Sequence, residues 1–299
     1  MWDQLLKDVI QGNQKSLARA ISLVENKVPG YEDFLQGLPA GTTPVIGITG
    51  PPGAGKSTLV DALIEAWVTE GKKVAVICVD PSSPFNLGAL LGDRIRMSDW
   101  YNTKNVFIRS LATRGSLGGL HPSIIEITAL MQCAGFDQII VETVGVGQSE
   151  IEIAGLADVT VVVVVPEAGD EIQTMKAGLM EIAQIFVVNK SDRPDADQFV
   201  KNLRLMVAPA TGTTKEISVF KTVASAKQGI IELAAAIEKE QHKHIPSERK
   251  SWLFTQRAYQ LIAQNKMKDI DKTVLFNAIA QNIANPSFNL FNFVKQYTH

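Results

Sequence analysis

Val45–Thr58 reads VIGITGPPGAGKST. A β-branched run, Val45–Thr49, breaks into a glycine-rich turn, and an amphipathic helix is predicted from Ser57 to Glu70. Gly50, Gly55, Lys56 and Ser57 fill the spacing G-x-x-x-x-G-K-[ST], the strand–loop–helix pattern that wraps a phosphate. Pro51 and Pro52 have no N–H to donate. The amides of Gly53, Ala54, Gly55, Lys56, Ser57 and Thr58 must then form the cradle, aided by the positive end of the helix dipole. Lys56 is expected to bridge β- and γ-phosphates, and the Ser57 hydroxyl to ligate Mg²⁺. The whole loop from Gly50 to Thr58 is therefore the expected phosphate site of a nucleoside triphosphate.

Outward from this loop, strand and helix patterns alternate. Strands are predicted at Val74–Val79, Val106–Ser110, Gln138–Val141, Thr160–Val165, Ile185–Val188 and Ser218–Val223. Helices are predicted at Ser123–Ala134 and Ala196–Met206, among others. Continuous Val/Ile runs imply strands buried on both faces, as in a parallel sheet covered by helices. The expected class is an α/β P-loop NTPase with a mostly parallel central sheet. Residues 1–40 read as a helical extension, with stripes Leu5, Leu6, Val9, Ile10 and Leu17, Ile21, Val24. Residues 41–245 read as the nucleotide-binding domain. Residues 246–299 read as a helical segment with dimerisation as one role, since 251–299 hold eight of the chain's 20 aromatics. Such a small segment must pack on the core, a second subunit or a partner.

Composition excludes several classes. With 299 residues, 45% apolar and 20% charged, the chain suits one large globular domain with appendages. A net charge of −2 gives no bulk attraction to nucleic acid or to an anionic membrane. The longest strongly apolar run, Val159–Val165, is too short to span a bilayer. The N-terminal MWDQLLKDVIQG carries acids and no signal-peptide core, so a cytoplasmic location is expected. Cys78 and Cys133 form no C-x-x-C pair and are expected as buried thiols in a reducing compartment.

Ile185–Asp192, IFVVNKSD, ends a buried strand in N-K-x-D and resembles the guanine motif of GTPases. Asp192 can accept from guanine N1–H and the 2-amino group, whereas adenine would leave that carboxylate unpaired at about 1–3 kcal/mol. Asn189 would brace the loop, and the Lys190 stem would cover the ring. Ser225, Ala226 and Lys227 resemble the S-A-K loop that contacts guanine O6. The expected nucleotide is GTP, with GDP as product.

Three further stretches narrow the reading: CVDPSSPFNLGALLGDRIRM over Cys78–Met97, VETVGVGQSE over Val141–Glu150, and PEAGDEIQTMKAGLME over Pro166–Glu181. With the phosphate loop, these resemble the GTPases associated with methylmalonyl-CoA mutase, the MeaB/ArgK type. Leu17–Glu25 and Arg109–Leu120 resemble the same family, and the resemblance covers roughly residues 5–240. It implies a homodimeric GTPase that chaperones an adenosylcobalamin-dependent acyl-CoA mutase, gating cofactor loading and protecting or rescuing the enzyme. It also implies that Glu167–Lys176 is a third switch, although Asp170 could equally cap a plain helix from Glu171.

Asp80, Asp93 and Glu142 are the acids that could hold Mg²⁺ beside Ser57, directly or through water. Glu142 and Gly145 form E-x-x-G, and Gly145 could give its N–H to the γ-phosphate. Val146 stands where Ras-type proteins carry a water-orienting Gln, and Gln148 lies two residues further on. Slow intrinsic hydrolysis, accelerated by a partner, is therefore expected. Arg94, Arg96 and Arg114 are candidate charge stabilisers, or surface ion-pair residues. The expected catalytic set is Lys56, Asp80, Glu142 and Gly145. A P-loop kinase and a metallochaperone GTPase are the alternatives. The kinase leaves N-K-S-D unexplained, and the metallochaperone lacks a His or Cys cluster: His121, His242, His244 and His299 are scattered.

Overall fold

A computed structural model describes residues 1–80, 97–114, 120–145, 149–168, 178–208, 217–243, 248–283, 285 and 288–297. Two compact units emerge, Met1–Lys250 and Ser251–His299.

The first unit opens with three helices, α1 (Trp2–Ile10), α2 (Gln14–Glu25) and α3 (Tyr31–Gln36). The Asn13 side chain accepts from Ser16 N at 3.0 Å and starts α2 by capping an otherwise unmet amide. Then follow β1 (Val45–Thr49), α4 (Lys56–Thr69), β2 (Val74–Asp80), β3 (Val106–Ala112), α5 (Ile124–Cys133) and β4 (Gln138–Glu142). The second half holds α6 (Ser149–Leu156), β5 (Val159–Val164), α7 (Gly178–Ile182), β6 (Ile185–Val188), α8 (Ala196–Val207), β7 (Ser218–Lys221) and α9 (Ile230–Gln241).

Among the described residues the sheet has seven strands, in the order β3-β2-β4-β1-β5-β6-β7. Every pairing is parallel. The sheet is thus parallel throughout, and all its strand carboxyl ends lie on one edge, where ligands of open α/β sheets bind. The pleat explains the Val/Ile runs. Val161 and Val163 pack with Ile48, Leu63, Trp67 and Leu233 on one face, while Val162 and Val164 pack with Phe186, Leu203 and Val207 on the other. Strands β1, β2, β4, β5 and β6 are buried along their full length. The two edge strands are not: Arg109 in β3 and Lys221 in β7 keep part of their surface in water.

Strand ends differ slightly from the sequence pattern. Strand β7 stops at Lys221, because Thr222 and Val223 turn away to bond Asn189 and to bridge Gln228. Cys133 corrects the expectation of two buried thiols. Cys78 is buried, but Cys133 closes the last turn of α5, is only partly covered, and donates its Sγ–H to Pro39 O at 3.0 Å. Its apolar surroundings push the thiol pKa up.

The second unit carries most of α10 (Glu248–Lys266), with α11 (Lys272–Asn282) and α12 (Leu290–Val294). Asp271 caps α11 by accepting from Thr273 N and Val274 N. Phe293 packs at a tilt against Phe288 and Tyr297, with centroids 6.0 and 5.4 Å away. Among the described residues, no helix is long and apolar enough to cross a membrane.

Candidate nucleotide-binding site

The phosphate loop joins β1 to α4 at the carboxyl edge of the sheet. Gly55 immediately precedes α4 with φ +87°, and a Cβ there would strike the Asn189 amide. Only glycine meets both conditions. Lys56 is buried, and its Nζ donates to Gly50 O at 2.9 Å and Pro51 O at 3.1 Å. The ammonium therefore lies inside the curve of the loop.

Glu142 ends β4, the neighbour of β1, in register with Ile48. Its carboxylate is buried and accepts from Ser57 Oγ at 2.6 Å. Asp80 ends β2 and is buried too. Its backbone carbonyl accepts from Thr113 N at 3.0 Å, which ties the end of β2 to the residue after β3. A hydroxyl held against a carboxylate, with a second carboxyl at the end of a nearby strand, is an all-oxygen donor set that fits Mg²⁺. Below them Thr143 Oγ1 donates to Thr49 Oγ1 at 2.9 Å, joining the exits of β4 and β1.

Gly145 has φ +83°, and a Cβ on it would collide with Gly50 O and Lys56 Nζ. The segment after β4 thus runs directly against the phosphate loop, where a backbone N–H can face a terminal phosphate.

The base side is stapled by one side chain. Asn189 is buried at the end of β6; its Nδ2 donates to Ala54 O at 2.9 Å. Its Oδ1 accepts from Thr222 Oγ1 at 3.1 Å and from Ala224 N at 3.1 Å. One amide so joins the phosphate loop, the exit of β7 and the turn leading into Ser225, Ala226 and Lys227. Lys190 takes φ +55° and its Nζ donates to Gly53 O at 2.7 Å, laying the side chain along the loop. Asp192, Ser225 and Ala226 are exposed, open to a base.

Sequence reasoning singled out Asn189 but missed its partners Thr222 and Ala224. The signal was the T-V-A run just before S-A-K. Arg114 takes the ion-pair role: its guanidinium bonds Glu25 at 2.7 Å. Arg109 joins the same carboxylate at 3.2 Å, so α2 is tied to the end of β3. His121 is buried, with Nδ1 accepting from Ser123 N at 3.0 Å. His242 lies at the exposed end of α9. Asp93, Arg94, Arg96, Val146, Gln148 and residues 169–177, with Asp170 and Lys176, lie outside the described residues.

The family model described as methylmalonyl Co-A mutase-associated GTPase MeaB matches residues 17–281. The chain belongs to the MeaB family. As a MeaB-family member it is a GTPase that binds GTP and GDP. A putative GTPase of Pyrococcus abyssi is 47% identical over 78% of this chain and 74% of its own length. The GTPase ArgK of Escherichia coli is 45% identical over 61% of this chain and 57% of its own length. The mouse protein named methylmalonic aciduria type A homolog, mitochondrial, is 32% identical over 82% of this chain and 64% of its own length. The solved structure of a LAO/AO transport system kinase superposes with a TM-score of 0.65 at 26% identity, covering 99% of this chain and 95% of that one.

Proposed function

We propose that this MeaB-family GTPase is a slow, partner-regulated switch serving an adenosylcobalamin-dependent acyl-CoA mutase, whose cofactor loading it gates and whose integrity it protects. The family's description as mutase-associated supports the client. The observation that supports the switch reading is the approach of Gly145 to Gly50 O and Lys56 Nζ, which sets the end of the E-x-x-G stretch against the phosphate loop.

In this reading Asp192 accepts from the guanine N1–H and 2-amino groups, the Ser225–Lys227 loop meets O6 through its backbone, and Lys190 covers the ring. The amides of Gly53 to Thr58 surround the phosphates. Lys56 exchanges its bonds to the Gly50 and Pro51 carbonyls for β- and γ-phosphate oxygens. Ser57 and Glu142, with Asp80 or Asp93, would hold Mg²⁺, which would supply positive charge against the charge that develops on the phosphates. Gly145 gives its N–H to the γ-phosphate, so loss of that phosphate frees the segment that follows. Val146 supplies no water-orienting amide, and hydrolysis waits for a partner. The protein acts as a homodimer, for which exposed aromatics such as Phe276 and Phe291 in the second unit offer surface.

The test is single-turnover GTP hydrolysis by the purified chain, alone and with a methylmalonyl-CoA mutase, alongside a pull-down of that mutase. The expected result is slow turnover alone, a rise of at least tenfold with the mutase, and co-purification. Turnover alone at tens per second, or no response to and no capture of the mutase, overturns the proposal.

A further inference from the structure

Two ion pairs tie the two loops proposed to contact the base to the frame behind them, and their acids, Glu167 and Glu65, lie outside the guanine motifs. The first loop runs from Asn189 through Asp192 to Arg193. It is a sharp turn, with Lys190 and Asp195 both at positive φ, +55° and +65°. Its backbone bonds include Ser191 N to Thr222 O at 3.0 Å and Arg193 N to Lys190 O at 3.1 Å, and none of them involves Asp192. Arg193, one residue past Asp192, reaches across to the Glu167 carboxylate on the Pro166–Ala168 turn that leaves β5. The Arg193 guanidinium holds the Glu167 carboxyl below the usual range, with Lys190 adding to the effect. Glu167 is therefore charged at neutral pH.

The second loop, Val223–Gln228, is pinned at its mouth by the Val223–Gln228 bridge and within by Ala226 N to Val223 O at 2.9 Å. Lys227 sits at φ +56°, and its Nζ meets both Glu65 oxygens, at 2.6 and 2.5 Å. Glu65 belongs to α4, about 13 Å along the helix axis from Lys56 at the phosphate end. Strand β5 pairs directly with β1, which feeds the phosphate loop. Both acids thus stand on the frame that holds the phosphates, and both cations stand on loops that face the base.

We infer that Glu65 and Glu167 are positioning residues for base recognition, each holding one base-contacting loop in place through that loop's own cation. This rests on the reading of Asp192 and the Ser225–Lys227 loop as the base contacts. The four partners are exposed by about half, 40–56%. Each pair is therefore worth up to about fivefold in affinity and is sensitive to salt. The pairs sit on different loops, so their effects multiply.

Inosine separates the two loops chemically. It lacks the 2-amino group, one of the two donors to Asp192, and keeps the O6 that the second loop meets. Release of fluorescent GDP and IDP is measured by stopped flow for the full chain and for Glu65→Gln, Glu167→Gln, the double variant and Asp192→Ala. Glu65→Gln is expected to speed release of GDP and IDP alike by about two- to fivefold. Glu167→Gln is expected to speed GDP release by a similar factor and IDP release less, shrinking the GDP/IDP ratio. At 1 M salt wild type and variants converge. The exchanged pair Glu65→Lys with Lys227→Glu recovers part of the loss, which places the effect in the pair itself; unchanged urea midpoints in the Gln variants separate positioning from a merely structural role.

Unchanged release from both Gln variants, with guanine preference lost in Asp192→Ala, overturns the inference and leaves the base site standing. Equal effects of both variants on GDP and IDP also overturn it. A normal preference for GDP over ADP in Asp192→Ala overturns the base-site reading and this inference together.

Discussion

At the base end of the site, Asn189 spends its amide on Ala54, Thr222 and Ala224, all parts of the protein itself. At the phosphate end, Lys56 bonds the Gly50 and Pro51 carbonyls, and Ser57 bonds Glu142. Both ends are hydrogen-bonded, but the bonds have different destinies. Those of Asn189 hold the scaffold whether or not a nucleotide arrives. Those of Lys56 and Ser57 involve the groups a triphosphate and its cation would engage, so binding there is an exchange. An exchange of one charge-assisted bond for another gives modest net affinity but large sensitivity to what replaces it. The proposed switch would need that sensitivity at the phosphates and rigidity at the base.

Removing the Lys56 ammonium attacks the exchanging end outright. Lys56→Ala should slow single-turnover GTP hydrolysis by about 100-fold or more, the range seen for loss of one oriented charge stabiliser. Its circular dichroism should stay native; an unfolded variant would show that Lys56 also holds the scaffold and would erase the contrast. Asn189→Ala attacks the scaffold end. It removes three bonds from a buried cluster, at about 2–4 kcal/mol in total. Urea unfolding should show the loss even without nucleotide, and GDP titration should show weakening of about 30-fold or more. A purely nucleotide-dependent effect would break the comparison.

Gly145→Ala sharpens the comparison by acting between the ends. At φ +83° with Gly50 O and Lys56 Nζ in the way, the added methyl should cost about 1–3 kcal/mol. GDP affinity should change little while GTP hydrolysis falls about tenfold or more, measured by filter binding and phosphate release.

The smallest effect tests whether a neighbouring carboxylate follows pH. Glu152 on α6 accepts from Leu120 N, and burial pushes its pKa up. A carboxyl raised in the native state favours folding while protonated, and that contribution is lost as pH rises from the ordinary glutamate value, about 4.3, through the raised one. Glu152→Gln should therefore flatten the pH dependence of the urea midpoint over this window by less than about 1 kcal/mol, because the group is half in water.

The fold was legible because its evidence is local. Each buried strand is a short Val/Ile run, and the loop glycines announce themselves by spacing. The two edge strands were predicted as strands, at Val106–Ser110 and Ser218–Val223, but their place at the edges shows only in hindsight, from Arg109 and Lys221 interrupting otherwise apolar runs. The partners of the site were not legible, because they are long-range. Glu25 meets Arg114 across 89 residues and Glu65 meets Lys227 across 162. No local periodicity encodes such pairs; they exist only once the sheet order brings β3 beside β2 and the exit of β7 beside α4. Cys133 shows the same limit on a smaller scale. Its helix is apolar, but its place in the last turn leaves it partly open.

The Asn189 staple also orders events during synthesis. Its three anchors are made at widely separated times: Ala54 early, Thr222 and Ala224 more than 160 residues later. A nascent chain halted before Thr222 already owns its phosphate loop, yet lacks the brace that fixes Asn189. In the proposed reading, selective guanine binding would wait until the chain has delivered Thr222 and Ala224, and ligand capture would mark a finished domain.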